Sequence, residues 1–478
     1  METNRNLTLH TDLYVINMIE TYWRQNISTR KAVFELYFRK LPFKNGYAIF
    51  AGLERVIDYL KQLKFTKDDL EYLKKIGYQD DFLNYLSEFK FSATVRSIQE
   101  GEIVFANEPL IQVEGSIVDA QLIETALLNF VNYQTLIATK AARIKNVAGN
   151  DTLLEFGSRR AQEADAAIWG ARAAYISGFD ATSNVKAGEK FGIPVSGTHA
   201  HSLVQAFDNE YEAFKAYALT HKNSVFLVDT YDTLRSGVPT AIKVAKEFKN
   251  QTNFLGVRID SGDLAALSKK VRQQLDEAGF RDAKIYVSND LDERTILNLK
   301  MEGAKIDVWG IGTKLITSYD QPALGAVYKL VSMEDANGHM RGTLKLSNNA
   351  GKISTPGKKQ VWRVTCKSGK YSGDYVTAAE ENPQTTGKIE MFDPERPYIN
   401  KTVDTFKVSP LLHEIFNHGK LSYSQPQVEE IKQYTVTTLQ RLWPEYKRQL
   451  NPQEYPVDLS QKLYQRKISL IKKIRQSI

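Results

Sequence analysis

The chain has 478 residues, which is more than one hydrophobic core usually serves, so we expect two or three domains. Hydrophobic residues make up 42% and charged residues 25%, a composition that excludes collagen-like, low-complexity and disordered proteins. The net charge of +7 arises from 63 basic and 56 acidic residues interspersed along most of the chain, so anionic small molecules account for it as well as nucleic acid does.

From the sequence we expect neither a targeting segment nor a membrane segment. It begins METNRNLTLHTDLY, without the basic and apolar regions of a signal peptide, and no apolar run approaches the roughly 18 residues of a membrane helix. The single cysteine, Cys366, excludes an internal disulfide and a multi-cysteine metal site. We expect a cytoplasmic protein that binds no membrane.

Residues 1–130 are predicted to form an N-terminal α+β domain. An amphipathic helix, LYVINMIETYW, begins after a cap at Thr11 or Asp12. After helical sequence to about residue 90, FSATVRSIQEGEIVFANEPLIQVEG alternates apolar and polar residues between turn signals, which predicts antiparallel strands.

Residues 131–324 are predicted to form an irregular α/β barrel of about seven strands, with an eighth missing or displaced. Short apolar runs alternate here with amphipathic helices such as DLAALSKKVRQQLDEAG, a pattern that predicts a parallel sheet. The runs are TLLEF (152–156), GFDAT (178–182), IPVS (193–196), VFLVD (225–229), FLGVRI (254–259), KIYVS (284–288) and KIDVWGIG (305–312).

Longer strand signals from about 325 to 400, including a DANG hairpin turn, are expected to complete the N-terminal domain. Residues 400–478 are predicted to be a helical extension. Its last segment, QKLYQRKISLIKKIRQSI, indicates a surface helix packed on its own domain, with a membrane or RNA tether as the alternative.

Each apolar run of the predicted barrel is followed by polar or glycine residues. In parallel sheets and barrels the ligand lies at the carboxyl ends of the strands, where these loops meet. The segments expected to converge are GSRR (157–160), SNVKAG (183–188), SGTHAHS (196–202), DTYD (229–232), RIDSGD (258–263), SNDLDE (288–293) and GIGTK (310–314).

GIGTK matches neither the P-loop nor the dinucleotide fingerprint, and a glycine pair after a strand is often a tight turn. It ends the last predicted barrel strand, however, where barrels often hold a phosphate on backbone N–H groups. The segment is therefore a candidate 5′-phosphate site.

Arg258 lies within an otherwise apolar strand, and a buried guanidinium needs a partner. Either Arg258 pairs with a structural carboxylate such as Asp229, or it binds a carboxylate or phosphate of the substrate through two hydrogen bonds. Asp260 is placed to bind ribose hydroxyls or a Mg²⁺ water, whereas Asp263 is expected to cap the next helix.

His199 and His201 alternate without a third histidine nearby, so metal ligation by both is not expected. A histidine at the start of a helix is often a packed or capping residue. The neighbours Gly197, Thr198 and Ser202 suit a phosphate, which makes a nucleophilic or acid–base role for His201 the functional hypothesis.

EFGSRRAQ, GTHAHS, VDTYDT, GVRIDSGD, VSNDLDE and GIGTK, in this order and with TDLY near the N-terminus, resemble the nicotinate phosphoribosyltransferase family over residues 8–400. The resemblance implies transfer of the phosphoribosyl group from phosphoribosyl pyrophosphate to nicotinate, which gives nicotinate mononucleotide and pyrophosphate in NAD salvage. It also implies a type II fold and a head-to-tail homodimer with shared active sites.

The resemblance also implies residue roles. Phe156 would stack on the pyridine ring and Tyr14 of the partner subunit would cover its other face. Arg258 would meet the nicotinate carboxylate, with Arg159 near the phosphates. The remaining predicted contacts are Asp229 and Asp260 for ribose and Mg²⁺, Gly310, Gly312 and Thr313 for the 5′-phosphate, and the loop residues Thr198, Ser288 and Asn289.

His201 resembles the family histidine that ATP phosphorylates, which would couple ATP hydrolysis to the synthesis. Imidazole is nucleophilic near neutral pH, and a phosphohistidine beside pyrophosphate and Mg²⁺ would reorganise the site. Because the sequence has no Walker A motif, ATP would share the phosphoribosyl pyrophosphate pocket.

Ser183 bears on the choice of substrate, because the resemblance places it where the related nicotinamide enzyme has an aspartate. A carboxylate repels nicotinate, whereas a serine donates to it, so nicotinate is expected. Thr182 or Asn184 are alternatives for this position. The other functions considered are a nicotinamide phosphoribosyltransferase, a nucleic-acid-binding or base-exchanging barrel, and a non-catalytic regulator.

Overall fold

The computed structural model describes residues 6–348, 350–385, 388–394, 396–403 and 407–477. The chain divides into two compact units. Unit 1 comprises Met1–Leu136 and Ala323–Ile478, and unit 2 comprises Ile137–Pro322.

The elements up to the end of the long sixth helix are α1 (Leu13–Arg24), β1 (Lys31–Phe38), β2 (Ala48–Ile49), α2 (Leu53–Gln62), α3 (Lys67–Lys75), α4 (Asp80–Ser87), β3 (Thr94–Ser97), β4 (Ile103–Val104), β5 (Ile111–Ser116), α5 (Ile117–Leu122) and α6 (Glu124–Ala148). The elements that follow in unit 2 are β6 (Thr152–Glu155), α7 (Ala164–Ile176), β7 (Ala181–Thr182), α8 (Val185–Phe191), α9 (His201–Gln205), α10 (Glu210–Thr220), β8 (Asn223–Leu227), α11 (Val238–Glu247), β9 (Asn253–Ile259), α12 (Leu264–Glu277), β10 (Lys284–Ser288), α13 (Glu293–Met301), β11 (Val308–Ile311) and α14 (Thr313–Ile316). The elements after residue 322 are β12 (Ala326–Glu334), β13 (Met340–Gly342), β14 (Lys359–Thr365), β15 (Tyr371–Ala378), β16 (Ile389–Phe392), β17 (Asn400–Val403), β18 (Lys407–Pro410), β19 (His413–Asn417), β20 (Lys420–Leu421), α15 (Val428–Arg441), β21 (Val457–Leu459) and α16 (Gln461–Gln476).

Unit 1 is built on an antiparallel sheet with the strand order β13-β12-β1-β5-β3-β19-β20. Strand β1 pairs with β12 on one side and with β5 on the other, so strands from both ends of the chain form one sheet. Seven of the eight residues of β1 are buried. The predicted DANG turn joins β12 to β13, as the antiparallel register between these strands confirms.

Unit 2 is built on a parallel half-barrel sheet with the strand order β7-β6-β11-β10-β9-β8. Six of the seven predicted runs are strands of this sheet. The seventh, IPVS, makes a single parallel bridge between Val195 and Thr182. Pro194 lies within this run and has no N–H to donate, which prevents a continuous ladder there.

The segment after residue 400 differs from the predicted helical extension. It contains α15 and α16, but also β17 to β21. These strands have two to five residues each. Runs this short are too brief for an alternating pattern to stand out. In the described part of the chain, no helix combines the length and hydropathy needed to cross a membrane.

Candidate functional site

The carboxyl ends of the parallel strands of unit 2 hold most of the predicted site residues. Asp229 follows β8, Asp260 follows β9, Ser288 ends β10 and Phe156 follows β6. The Ser288 hydroxyl donates to Asp260 Oδ1, which ties the ends of β10 and β9 together. The loops therefore meet along one edge of the sheet, where ligands of parallel sheets bind.

Asp229 is an acid of this edge whose side chain is only 2% exposed. Its Oδ2 accepts from the backbone N–H of Asp260 at 2.9 Å and from the Ser261 hydroxyl at 2.5 Å. Its Oδ1 is buried and has no hydrogen-bond partner among the residues described. A buried carboxylate oxygen without a partner is costly, so this atom suits a ribose hydroxyl, a cation or a cation-bound water.

His201 is the first residue of α9 and lies beside these two acids. Its Nδ1 is 3.1 Å from the Thr230 hydroxyl, and its Nε2 is 4.0 Å from Asp229 Oδ1 and 3.9 Å from Asp260 Oδ2. The side chain is 37% exposed. One ring nitrogen thus lies against Thr230, and the other lies about 4 Å from the two acids.

His199 has a different environment, although it lies only two residues away. It is buried, its Nε2 accepts from the backbone N–H of Leu227 at 3.2 Å, and its Nδ1 is 3.3 Å from the carbonyl oxygen of Ala200. The proton therefore lies on Nδ1. Burial lowers the pKa of His199 to about 4. The neutral ring attaches the loop after Val195 to the edge strand β8, where the sheet has no further strand.

Arg258 extends from β9 toward the same loop. Its Nη1 donates to the Thr198 hydroxyl and to the carbonyl oxygen of His199, the latter at 3.3 Å. Its Nε is buried without a hydrogen-bond partner in the described part of the chain. Burial lowers the pKa of Arg258, and the charges of Asp260 and Asp229 partly offset this effect. The groups that Arg258 contacts are neutral oxygens, so the guanidinium retains capacity for an anion.

Phe156 packs directly on Gly310. A Cβ atom at Gly310 would lie 2.6 Å from Phe156 Cδ2, so any side chain there would displace the ring. The backbone N–H of Phe156 donates to the carbonyl oxygen of Ile311 at 2.7 Å. Gly312 and Thr313 follow at the start of α14. The predicted stacking residue and the predicted phosphate segment are therefore neighbours.

The other predicted residues vary in placement. Arg159 is exposed, Ser183 is half-buried, and Asn289 is exposed with a φ of 100°. Tyr14 belongs to unit 1 and is exposed on α1, where burial and Glu124 raise its pKa to about 12. Its predicted contact with a partner subunit's substrate stays a prediction. Asp263 caps α12 by accepting from the N–H of Ala266, as expected.

Two residues of this edge were not singled out from the sequence. Thr230, which orients His201, lay unremarked within the segment DTYD. Glu155 ends β6 and is buried; it occurs in both TLLEF and EFGSRRAQ, but neither segment assigns it a role. The signal that could have identified Glu155 is a charged residue near the carboxyl end of an otherwise apolar run.

Three models of one protein family match most of the chain. The N-terminal domain model of nicotinate phosphoribosyltransferase matches residues 9–132, the family model matches residues 152–350, and the C-terminal domain model matches residues 358–467. The chain is 58% identical over 474 residues to the nicotinate phosphoribosyltransferase of Bacillus subtilis (strain 168), covering 99% of this chain and 96% of that protein.

Less similar nicotinate phosphoribosyltransferases also match over most of the chain. The chain is 37% identical to the nicotinate phosphoribosyltransferase of Dictyostelium discoideum, covering 95% of this chain and 87% of that protein. The crystal structure of human nicotinic acid phosphoribosyltransferase superposes with a TM-score of 0.86 at 32% identity, covering 96% of this chain and 99% of that one.

Proposed function

The chain belongs to the nicotinate phosphoribosyltransferase family, and from this membership we propose that it transfers the phosphoribosyl group of phosphoribosyl pyrophosphate to the ring nitrogen of nicotinate. The observation that carries the proposal is Arg258, a largely buried guanidinium that contacts neutral oxygens and faces the acids of the strand-end site. A planar guanidinium binds a carboxylate through two parallel hydrogen bonds.

In the proposed complex, Arg258 holds the nicotinate carboxylate and Phe156 stacks on the pyridine ring. The ribosyl carbon develops oxocarbenium character as pyrophosphate leaves, so the protein's task is to orient the ring nitrogen and to stabilise charge. Asp229 and Asp260, near the ends of β8 and β9, would serve the ribose and Mg²⁺. Gly310, Gly312 and Thr313 would present backbone N–H groups to the 5′-phosphate.

The acids of the site also fit Mg²⁺. In the described residues no group of three or more His, Cys, Asp and Glu forms a metal site. Mg²⁺ commonly binds through one or two carboxylates together with substrate phosphates and water, and the unpartnered Asp229 Oδ1 and the nearby Asp260 Oδ2 supply such ligands. The ion would neutralise charge on the departing pyrophosphate.

We further propose that ATP phosphorylates His201 and that this step is coupled to the synthesis. The support is the arrangement of the ring: Nδ1 is 3.1 Å from the Thr230 hydroxyl, Nε2 is near both acids, and the side chain is 37% exposed. An imidazole nitrogen that is held but not buried can act as a nucleophile. A homodimer with Tyr14 supplied by the partner subunit, a cytoplasmic location and a role in NAD salvage belong to the same proposal. Binding of nucleic acid or membrane is not part of it.

The test of the reaction is pyrophosphate release with nicotinate, nicotinamide or quinolinate, each with and without ATP and at graded Mg²⁺ concentrations. We expect activity with nicotinate, dependence on Mg²⁺ and stimulation by ATP. Activity with nicotinamide alone would overturn the assignment of nicotinate. Absence of pyrophosphate release together with tight, salt-sensitive oligonucleotide binding would favour the nucleic-acid alternative.

The test of ATP coupling is His201→Ala, compared with His221→Ala as a control. His221 is also in unit 2 but is exposed and contacts Tyr217 and Thr220. We expect His201→Ala to retain slow basal transfer and to lose both ATP stimulation and acid-labile phosphate incorporation. Unchanged ATP stimulation in this variant would remove His201 from the coupling step.

A further inference from the structure

A buried acid lies at the end of β6, directly before Phe156. The side chain of Glu155 is 1% exposed, and burial raises its pKa above the usual value. The groups that act on this pKa, apart from burial, are the Thr182 hydroxyl and the N–H of Gly157, and no cation is among them. Burying a carboxyl group without a cation is costly, and an apolar residue would fill the same space at lower cost.

The contacts of Glu155 link two loops of the site. Its Oε1 accepts from the backbone N–H of Gly157, in the loop that carries Phe156. Its Oε2 accepts from the Thr182 hydroxyl at 2.6 Å, and its backbone carbonyl accepts from the N–H of Ser183 at 2.9 Å. One residue thus holds the chain on both sides of the region assigned to the pyridine ring.

Thr182 extends this connection. Its hydroxyl oxygen also accepts from the backbone N–H of Asn184 at 3.0 Å, and Asn184 Nδ2 donates to the Ser158 hydroxyl at 3.0 Å. The hydrogen bonds therefore connect the loop that begins at Phe156, after β6, with the loop that begins at Ser183, after β7. They pass through Glu155 and Thr182 and return from Asn184 to Ser158 in the first loop. These hydrogen bonds form a closed set, buried at Glu155 and Thr182 and partly buried at Asn184 and Ser158, and such a set restricts both loops to one relative position.

The space around the Phe156 loop restricts it further. A Cβ atom at Gly157 would lie 2.5 Å from Ile316 Cβ in α14 and 2.8 Å from Glu155 Oε1. The loop is therefore packed between α14 and the Glu155 carboxyl group, and it has little room to move if the carboxyl group keeps its place.

We propose that Glu155 and Thr182 form a positioning pair that sets the distance between Phe156 and Ser183, and thereby the affinity for nicotinate and its selection over nicotinamide. The inference rests on the proposed function. Neither residue needs to touch the substrate. Ring stacking by Phe156 and recognition of the carboxylate near Ser183 both require side chains that are held in place to within a fraction of an ångström. A displacement of about 1 Å can lower catalysis about a hundredfold.

The test compares Thr182→Val, which has nearly the same volume without the hydroxyl, with Thr182→Ser, which restores the hydroxyl. Glu155→Leu and Glu155→Gln form a second pair. The matched control is Thr252→Val. Thr252 is also buried in unit 2, and its hydroxyl is 2.7 Å from that of Ser224, at the opposite end of the sheet strands. Loss of the hydrogen bond between Thr252 and Ser224 removes a buried contact of the same kind away from the site.

The measurements are the KM values for nicotinate and for phosphoribosyl pyrophosphate, and the ratio of kcat/KM for nicotinate to that for nicotinamide. We expect Thr182→Val and Glu155→Leu to raise the nicotinate KM at least about tenfold and to lower the ratio, with a much smaller effect on the phosphoribosyl pyrophosphate KM. Thr182→Ser and Glu155→Gln should recover most of the loss. Thr252→Val should lower thermal stability without this selective change in KM.

The outcomes separate the inference from the function on which it rests. If the wild-type protein does not use nicotinate, the proposed function fails and the inference fails with it. If the wild type uses nicotinate but Thr182→Val raises both KM values equally, or no more than Thr252→Val does, the function stands and the positioning pair is refuted. Failure of Thr182→Ser to improve on Thr182→Val would also refute it.

Discussion

The buried His199 predicts a loss of stability in mild acid. Its pKa is about 4 in the folded protein, against an ordinary value of 6.5. At about 1.4 kcal/mol per pH unit, protonating the folded ring costs about 3 kcal/mol more than protonating the unfolded chain. As the pH falls from 6.5 toward 4, the unfolded chain takes up a proton that the folded chain excludes, so the free energy of unfolding should fall by up to this amount.

The assay compares the wild type with His199→Gln, whose side-chain oxygen can accept from the N–H of Leu227 but does not titrate. Denaturant unfolding between pH 7 and pH 4.5 should show a decline in stability that is smaller in the variant by about 2 to 3 kcal/mol. In NMR spectra of ¹³C-labelled histidines, the resonance that disappears in His199→Gln should titrate near pH 4. A titration midpoint at pH 6 or above, or equal declines in both proteins, would refute the argument.

Three further predictions concern the site. Gly310→Ala should push the Phe156 ring aside and raise the nicotinate KM about tenfold, since its Cβ would overlap that ring; an unchanged KM would show that the ring does not contact the substrate. Arg258→Lys, which keeps the charge but loses the planar donor pair, should raise the nicotinate KM more than that of phosphoribosyl pyrophosphate; the reverse order would assign Arg258 to the phosphates. Asp229→Asn should lower kcat about a hundredfold and raise the Mg²⁺ concentration needed for half-maximal rate; a normal Mg²⁺ titration would exclude Asp229 as a ligand.

The periodicity of the sequence predicted the parallel architecture because apolar runs and amphipathic helices alternate in unit 2. It also predicted the convergence of Asp229, Arg258 and Asp260, since carboxyl ends of parallel strands share one edge. It did not distinguish a strand from a single bridge at IPVS, where Pro194 lacks an N–H, or detect the short strands after residue 400.

Spacing alone could not separate the roles of His199 and His201. Both follow the same run, and their difference depends on the N–H of Leu227 in β8 and the hydroxyl of Thr230 in the loop after it, which are 28 and 29 residues away. Glu155 was missed for a related reason. Its significance lies in its contact with Thr182, and no local pattern in TLLEF indicates that contact.

The strand order of the unit 1 sheet also determines when its strands can pair during synthesis. Strand β1 pairs with β12, and Phe34 lies opposite Leu330 in this pairing. The pairing cannot form until Leu330 has been synthesised and has left the ribosome. At about 5–20 residues per second, this delay is on the order of tens of seconds. During that time one edge of a strand that is almost wholly buried in the folded protein has no partner, while all the residues of unit 2 are being made. An unpaired strand edge can pair with another chain, so the nascent chain is most open to association during this interval.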